Sequence, residues 1–308
     1  MAVGIALMIF QVIALPVIFS LWLGLSKQVS KLHWLFLTIL VGAYCWSLWT
    51  LGLWFWFHVN LKWIVPVLFV GAVLASLRHL SGVPNLPPRK VGALINLGIL
   101  FLIGGLFTLQ ALAVLGGSKN PAGSIDLAFP LEGGRFVVGH GGDSPLVNYH
   151  NAYKSQAYAL DILGLNSSGR RANGVFPENL EDYAIYGARI VSPCNGHVVE
   201  TDDGHENQIP GIPNEPKFPA GNHVVISCHN VNIVLAHMQP GSLKVSEGDM
   251  VETGDLVGLV GNSGNTSEPH LHVHAEQGGT DTPVLKGVGV PLTFERRFLI
   301  RNDIVDKR

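Results

Sequence analysis

From Met1 to Ser118 the chain contains no aspartate or glutamate and only six basic residues, Lys27, Lys31, Lys62, Arg78, Arg89 and Lys90. A stretch so poor in charge has nothing with which to cover a water-facing surface, so it must fold where the solvent is itself apolar. Its apolar runs stand at Val3 to Leu25, Leu35 to Phe57, Trp63 to Leu77 and Ala93 to Leu115. A helix of about 20 apolar residues crosses a hydrocarbon core. Three runs reach that length, and the third, bracketed by Lys62 and Arg78, crosses if Lys62 snorkels to the interface. The reading is four transmembrane helices over residues 1–116 in contact with membrane lipid. No basic residue precedes the first run and further apolar runs follow it, which argues against a cleaved signal peptide.

Lys27 and Lys31 follow the first run and Arg78, Arg89 and Lys90 the third, whereas the second connection offers only His58 and Lys62. The bias of basic residues toward the cytoplasm predicts that the first and third connections lie inside and that everything beyond Leu115 lies outside, periplasmic or extracellular. Asn96 and Gln110 are the strongly polar side chains within the fourth run and neither ionises, so no ion pathway is visible.

All 22 acidic and the other 14 basic residues lie beyond Ser118, giving +6 on the first part and −8 on the second. Neither value suggests a nucleic-acid partner. After a linker at residues 117–128 come short alternating strands broken by Gly, Pro, Asn and Asp, the texture of an antiparallel β domain. Pro177 to Tyr186 is the one helical candidate. His205 to Ala220, with four prolines, reads as a long surface loop inserted between strands. Cys194 and Cys228 each stand beside a strand-like segment. A disulfide between them and two buried thiols are both compatible with that placement, while Cys45 sits in an apolar run as a small hydrophobe.

Ten of the 13 histidines lie in this second part, and His270, His272 and His274 alternate with Leu271 and Val273. On a strand such a pattern puts Leu271 and Val273 into a core and three imidazoles on the other face, for which a metal is the natural reason. Upstream, KVSEGDMVETGDLVGLV at Lys244 to Val260 reads as hairpins turning at Gly248-Asp249 and Gly254-Asp255. A biotinyl or lipoyl hairpin has a similar pattern, but no lysine stands at the tip near Thr253.

The whole stretch Val234 to Glu276, VLAHMQPGSLKVSEGDMVETGDLVGLVGNSGNTSEPHLHVHAE, resembles the core of the lysostaphin-type zinc endopeptidases. It holds in order an Ala-His strand, a K-V-x-x-G-D hairpin, a G-x-S-G-x-T turn and P-H-L-H. FPLEGGRFVVGHGG at Phe129 to Gly142 and NYHNAYKSQAYALDI at Asn148 to Ile162 extend the likeness, as do Ser192 to Gly196 and Gly221 to Cys228. The resemblance implies a mostly antiparallel β fold of duplicated hairpins over 129–280, followed by an extension at 281–308.

It also implies a Zn2+ ion held by the His and Asp of an H-x-x-x-D motif and by the second His of H-x-H. Asp161 and His272 match directly. Ala157 stands four positions before Asp161, so the third ligand is assigned to His150, with Gln156 as the other group that can occupy that space. His237 and His270 match the family's catalytic histidines, and His274 is expected behind the ligands or exposed. The implied activity is hydrolysis of peptide bonds in peptidoglycan cross-links. The rival is a non-catalytic module, with the metal lost, that binds cell wall or regulates another wall hydrolase or a membrane partner.

Overall fold

A computed structural model describes residues 2–212, 217–277 and 284–308. The chain divides into two compact units, one of Met1–Trp54 with Asn60–Leu115, the other of Phe55–Val59 with Gly116–Arg308.

The first unit is helical. Its elements are α1 (Ala2–Ile9), a π-helical turn at Phe10–Ala14, α2 (Leu15–Leu25), α3 (Lys31–Leu51), α4 (Ile64–Leu77) and α5 (Val91–Gly117). Among the described residues, four stretches are long and apolar enough to cross a membrane: Ala6–Leu25, Lys31–Leu51, Val59–Leu77 and Val91–Gly117. The third gains its length from a 3₁₀ turn, Val59–Trp63, ahead of α4. Ser30 caps α3, its hydroxyl accepting from the His33 N–H at 3.0 Å. The ring of Trp34 donates to Ser76 Oγ at 2.8 Å, tying α3 to α4 without any charge.

The second unit is built on antiparallel strands: β2 (Arg135–His140), β3 (Leu160–Gly164), β5 (Gly196–Asp202), β6 (Asn222–Cys228), β7 (Val231–Met238), β8 (Met250–Val251), β10 (Leu271–Gln277), β11 (Val288–Val290) and β13 (Ile304–Asp306). The order across the sheet is β13-β2-β3-β10-β7-β6-β5-β8. Strand β10 pairs with β7 along one edge, while β3 and then β11 share the other. Two small sheets flank it, β1 (Ile125–Leu127) beside β12 (Leu292–Phe294), and β4 (Arg189–Val191) beside β9 (Leu256–Leu259).

Strand alternation sorts the side chains as the sequence predicts. Leu271, Val273 and Ala275 enter a core with Leu160, Ile162, Val224, Ile226, Ile233 and Leu235, and His272, His274 and Glu276 take the opposite face. That face is buried too, with His274 and Glu276 each 1% exposed. Cys194 and Cys228 form a disulfide.

Three sequence expectations meet a different arrangement. Pro177 to Tyr186 holds no α-helix, only a 3₁₀ turn at Leu180–Asp182, because Pro177 and Gly187 confine it and Tyr183 is drawn into the core. The stretch read as a linker contains β1, which pairs in parallel with β12. The stretch read as an extension supplies β11, β12 and β13, all paired within the unit. The expected boundary at 280/281 lies outside the described residues, as do positions 213–216 of the His205 to Ala220 loop.

A candidate metal and catalytic centre

The site is assembled where β3, β7 and β10 lie side by side. Backbone register sets His272 opposite Asp161 on one side and opposite Ala236 on the other. Two residues separated by 111 positions thereby come into contact, His272 Nδ1 lying 2.9 Å from Asp161 Oδ1.

His150 reaches the same carboxylate from a 3₁₀ turn, Tyr149–Ala152, its Nε2 lying 3.0 and 2.9 Å from the two oxygens. The turn is held by Asn148, which is fully buried. Its side-chain nitrogen donates to the carbonyls of Gly142 and Ala159 and its oxygen accepts from the His150 N–H. This asparagine folds back the chain over the 11 positions from His150 to Asp161, the step the spacing alone does not reveal. Gln156 lines the same cleft.

His150, Asp161 and His272 thus present one ligand atom each, all within 4.8 Å of one another and all buried. Two imidazole nitrogens and a carboxylate oxygen are the donor set of a catalytic zinc site with an open position, so the residues present fit the ion. His272 Nε2 lies 2.9 Å from His274 Nδ1. When Nδ1 of His272 serves as a ligand its proton sits on Nε2 and is donated to His274, which fixes both the tautomer and the ring plane. The remaining nitrogen of His274 is buried with no hydrogen-bond partner.

His237 and His270 complete the group, with ring centroids 4.7 Å apart. His237 takes a left-handed backbone, φ 65°, which turns its side chain out of the strand's alternation. Its Nδ1–H donates to the carbonyl of Ser263 at 2.8 Å. His270 Nδ1–H donates to the carbonyl of Glu268 at 2.8 Å, and its Nε2 lies 3.5 Å from Asp161 Oδ1. In both, Nδ1 is committed to a backbone oxygen, leaving Nε2 free of that bond: His237 lines the cleft, and His270 Nε2 faces Asp161.

The electrostatics follow from burial and charge pairing. Burial opposes ionisation of Asp161, but the His150 and His270 charges and the hydrogen bonds from His150 and His272 outweigh it and hold the carboxyl well below the usual range. Burial, with His270 and His272 nearby, holds His237 well below the ordinary histidine value. Burial lowers His272 to about 4 against the opposing pull of Asp161, and burial also lowers His274 well below its usual value.

Two residues at the site escaped the sequence reading. A β-bulge between Val138 and His140 sets His140 opposite Asp161. Arg301 Nη2 donates to His140 Nδ1 at 2.7 Å and Arg301 Nε donates to the Gly139 carbonyl at 3.0 Å. Burial lowers His140 to about 4 and Arg301 to about 10. A histidine before Gly141-Gly142 was the only available signal for His140, and none marked Arg301.

A cleft of about 280 Å³ opens over the centre. Tyr149, Tyr153, Pro219 and Asn265 line it together with His150, His237 and His272.

Residues 180–283 match the sequence model of Peptidase family M23. Among solved structures, the chain is similar to a peptidase M23 protein from Pseudomonas aeruginosa, at 22% identity over 34% of this chain and 42% of that one, TM-score 0.23. It is similar to lysostaphin from Staphylococcus simulans, at 19% identity over 30% and 38%, TM-score 0.23. It is also similar to a zinc-containing peptidase from Vibrio cholerae, at 16% identity over 48% of each, TM-score 0.23. The chain spans less than half the length of each of these three proteins. The matched stretch contains His237, His270, His272 and His274, whereas His150 and Asp161 lie upstream of it. The match to Peptidase family M23 thus falls within the β unit and takes in four histidines of the centre.

Proposed function

We propose that the protein is a membrane-anchored zinc metalloendopeptidase that hydrolyses peptide bonds in peptidoglycan cross-links outside the cytoplasm. The carrying observation is the convergence of His150, Asp161 and His272 on one point, with two further imidazoles, His237 and His270, packed beside them.

When bound, zinc supplies a Lewis acid that acidifies water and polarises a carbonyl. The chain's own residues do the rest. The two tyrosines and Asn265 flank an extended peptide in the cleft. His237, held neutral by burial, accepts the proton of the attacking water at Nε2. The Ser263 carbonyl, bonded to its Nδ1–H, stabilises the positive charge that results. His270, when protonated, donates from Nε2 to the oxygen that develops negative charge. The proton then passes to the nitrogen of the leaving chain.

Anchoring is supported by four helices of spanning length and by the cytoplasmic bias of Lys27, Lys31, Arg78, Arg89 and Lys90. Phe55–Val59, from the connection between the second and third spans, belongs to the β unit. That supports one side of the bilayer for both, the outer one.

The test is the full chain, purified in detergent with zinc, incubated with peptidoglycan fragments and assayed for new amino termini. Cleavage by the parent and none by His272→Ala is the expected result. Bound zinc without cleavage of any wall peptide sinks the substrate assignment, and absence of zinc from the parent returns the module to a wall-binding role.

A further inference from the structure

Arg171 is 1% exposed, far from the surface where arginines belong, and it takes no part in the chemistry above. Three rings surround its guanidinium: Trp56 at 4.7 Å, Tyr183 at 5.6 Å and Phe176 at 5.7 Å from Cζ. Trp56 meets Phe176 edge to face at 4.5 Å. Its Nη2 donates to the Val175 carbonyl at 2.9 Å, and its Nε lies 2.7 Å from Glu268 Oε2.

Glu268 is the point of interest, because its backbone carbonyl receives the Nδ1–H of His270. The same carbonyl accepts from Thr266 Oγ1 at 2.8 Å. Pro269 is the only residue between Glu268 and His270, and its fixed φ leaves the connection little freedom. Anchoring the Glu268 side chain therefore anchors the carbonyl that sets the tautomer and direction of His270.

Trp56 comes from a remote part of the sequence. It sits in Phe55–Val59, the one segment before Gly116 that belongs to the β unit. That segment is fastened at both ends, the Arg171 N–H donating to Phe55 O at 3.0 Å and the Val59 N–H to Gly169 O at 3.1 Å. Both fastenings close on the short stretch that carries Arg171. Burying a cation is costly unless it is paired and its remaining faces are covered, and Trp56 is the closest of the three covers.

We infer that Trp56, Arg171 and Glu268 form a positioning relay for His270, so that the connection between the second and third spans is a working part of the peptidase centre. The inference rests on the proposed catalytic role of His270. None of the three touches substrate or metal; they act through the direction of one imidazole.

The experiment uses the full chain in detergent, comparing Trp56→Ala, Trp56→Phe, Glu268→Gln and the double variant Trp56→Ala/Glu268→Gln. The readouts are kcat, KM and bound zinc. Misdirecting a catalytic group by a fraction of its contact distance costs about tenfold or more. Trp56→Ala and Glu268→Gln are each expected to lower kcat about tenfold while KM stays within about twofold and zinc stays at the parent level. Trp56→Phe, which keeps a ring face, restores kcat to within about twofold of the parent. The double variant falls no further than the single ones, the mark of groups acting in series.

Parent kcat in Trp56→Ala and Glu268→Gln overturns the relay and leaves the peptidase reading standing. Losses that multiply in the double variant, or that track loss of zinc, overturn it as well, since they report general destabilisation. A parent that cleaves no peptide removes the catalytic reading and the relay together.

Discussion

In the helical unit Leu102, Leu106 and Leu109 stand 63%, 60% and 66% exposed, whereas in the β unit Leu235, Leu271 and Val273 are each 0% exposed. The buried polar groups invert in the same way. In the helical unit they are small and neutral, chiefly Ser20, Ser30, Ser47 and Ser76, and in the β unit they include Asp161, Arg171, His237, His272 and His274. A chain surrounded by hydrocarbon gains nothing by hiding leucine, so its helices pack on small residues and uncharged hydrogen bonds. A chain surrounded by water hides its leucines, and the core they form is dry enough to make charge pairing strong. Buried ionisable groups then concentrate in the second unit, held among apolar strands.

The sharpest way to break this contrast is to remove one ligand candidate and one outward leucine in parallel. His272→Ala is expected to eliminate bound zinc and to lower peptide hydrolysis about a thousandfold or more. Leu106→Ala should leave both within twofold. Loss of zinc in Leu106→Ala would show that the centre depends on the helical unit's outer face, which the contrast denies.

Stability gives the next largest difference. Leu235→Ala removes a fully buried side chain from the sheet's core, and denaturant unfolding followed by β-sheet circular dichroism should show a loss of about 2–5 kcal/mol. Leu106→Ala should cost less than about 1 kcal/mol. Equal losses at the two sites would mean that Leu106 is covered by a partner.

The smallest effect is pH. His272 is held at about 4 against an ordinary 6.5, and His140 likewise. Between those values the unfolded chain takes up protons that the folded chain refuses, so stability is full above about 6.5 and falls as pH is lowered toward 4. For His272 the loss between neutral pH and pH 5 is on the order of 2 kcal/mol. Chelator-treated protein should show it as a lower midpoint for the β unit while the helical 222 nm signal holds, because the buried histidines among the described residues all lie in the β unit. A midpoint unchanged at pH 5 would place these imidazoles in contact with water.

The spans and the histidine strand were legible because each is a local pattern. A run of apolar residues needs only its length to be read, and alternation along His270 to His274 declares which face is which. His150 was harder, since its place beside Asp161 depends on Asn148 folding the intervening turn. His140 depends on a single bulge. Arg301 and Trp56 meet His140 and Arg171 across more than 100 residues of sequence, by contacts that no local periodicity records. The stretch at 281–308 read only as an extension because its strands are three residues long and carry no pattern of their own until they pair.

The strand order also sets a timetable. Asp161 is made early and waits for His272, with β10 inserting between β3 and β7 only after both exist. Arg301 and β13 arrive later still, and β13 covers the free edge of β2. A growing chain therefore carries no assembled centre until almost the whole β unit has been synthesised, and non-local pairing of this kind is slow. The centre is a latecomer in its own biosynthesis: while the helices are finding their places, the strand that carries its last ligand candidate has not yet been made.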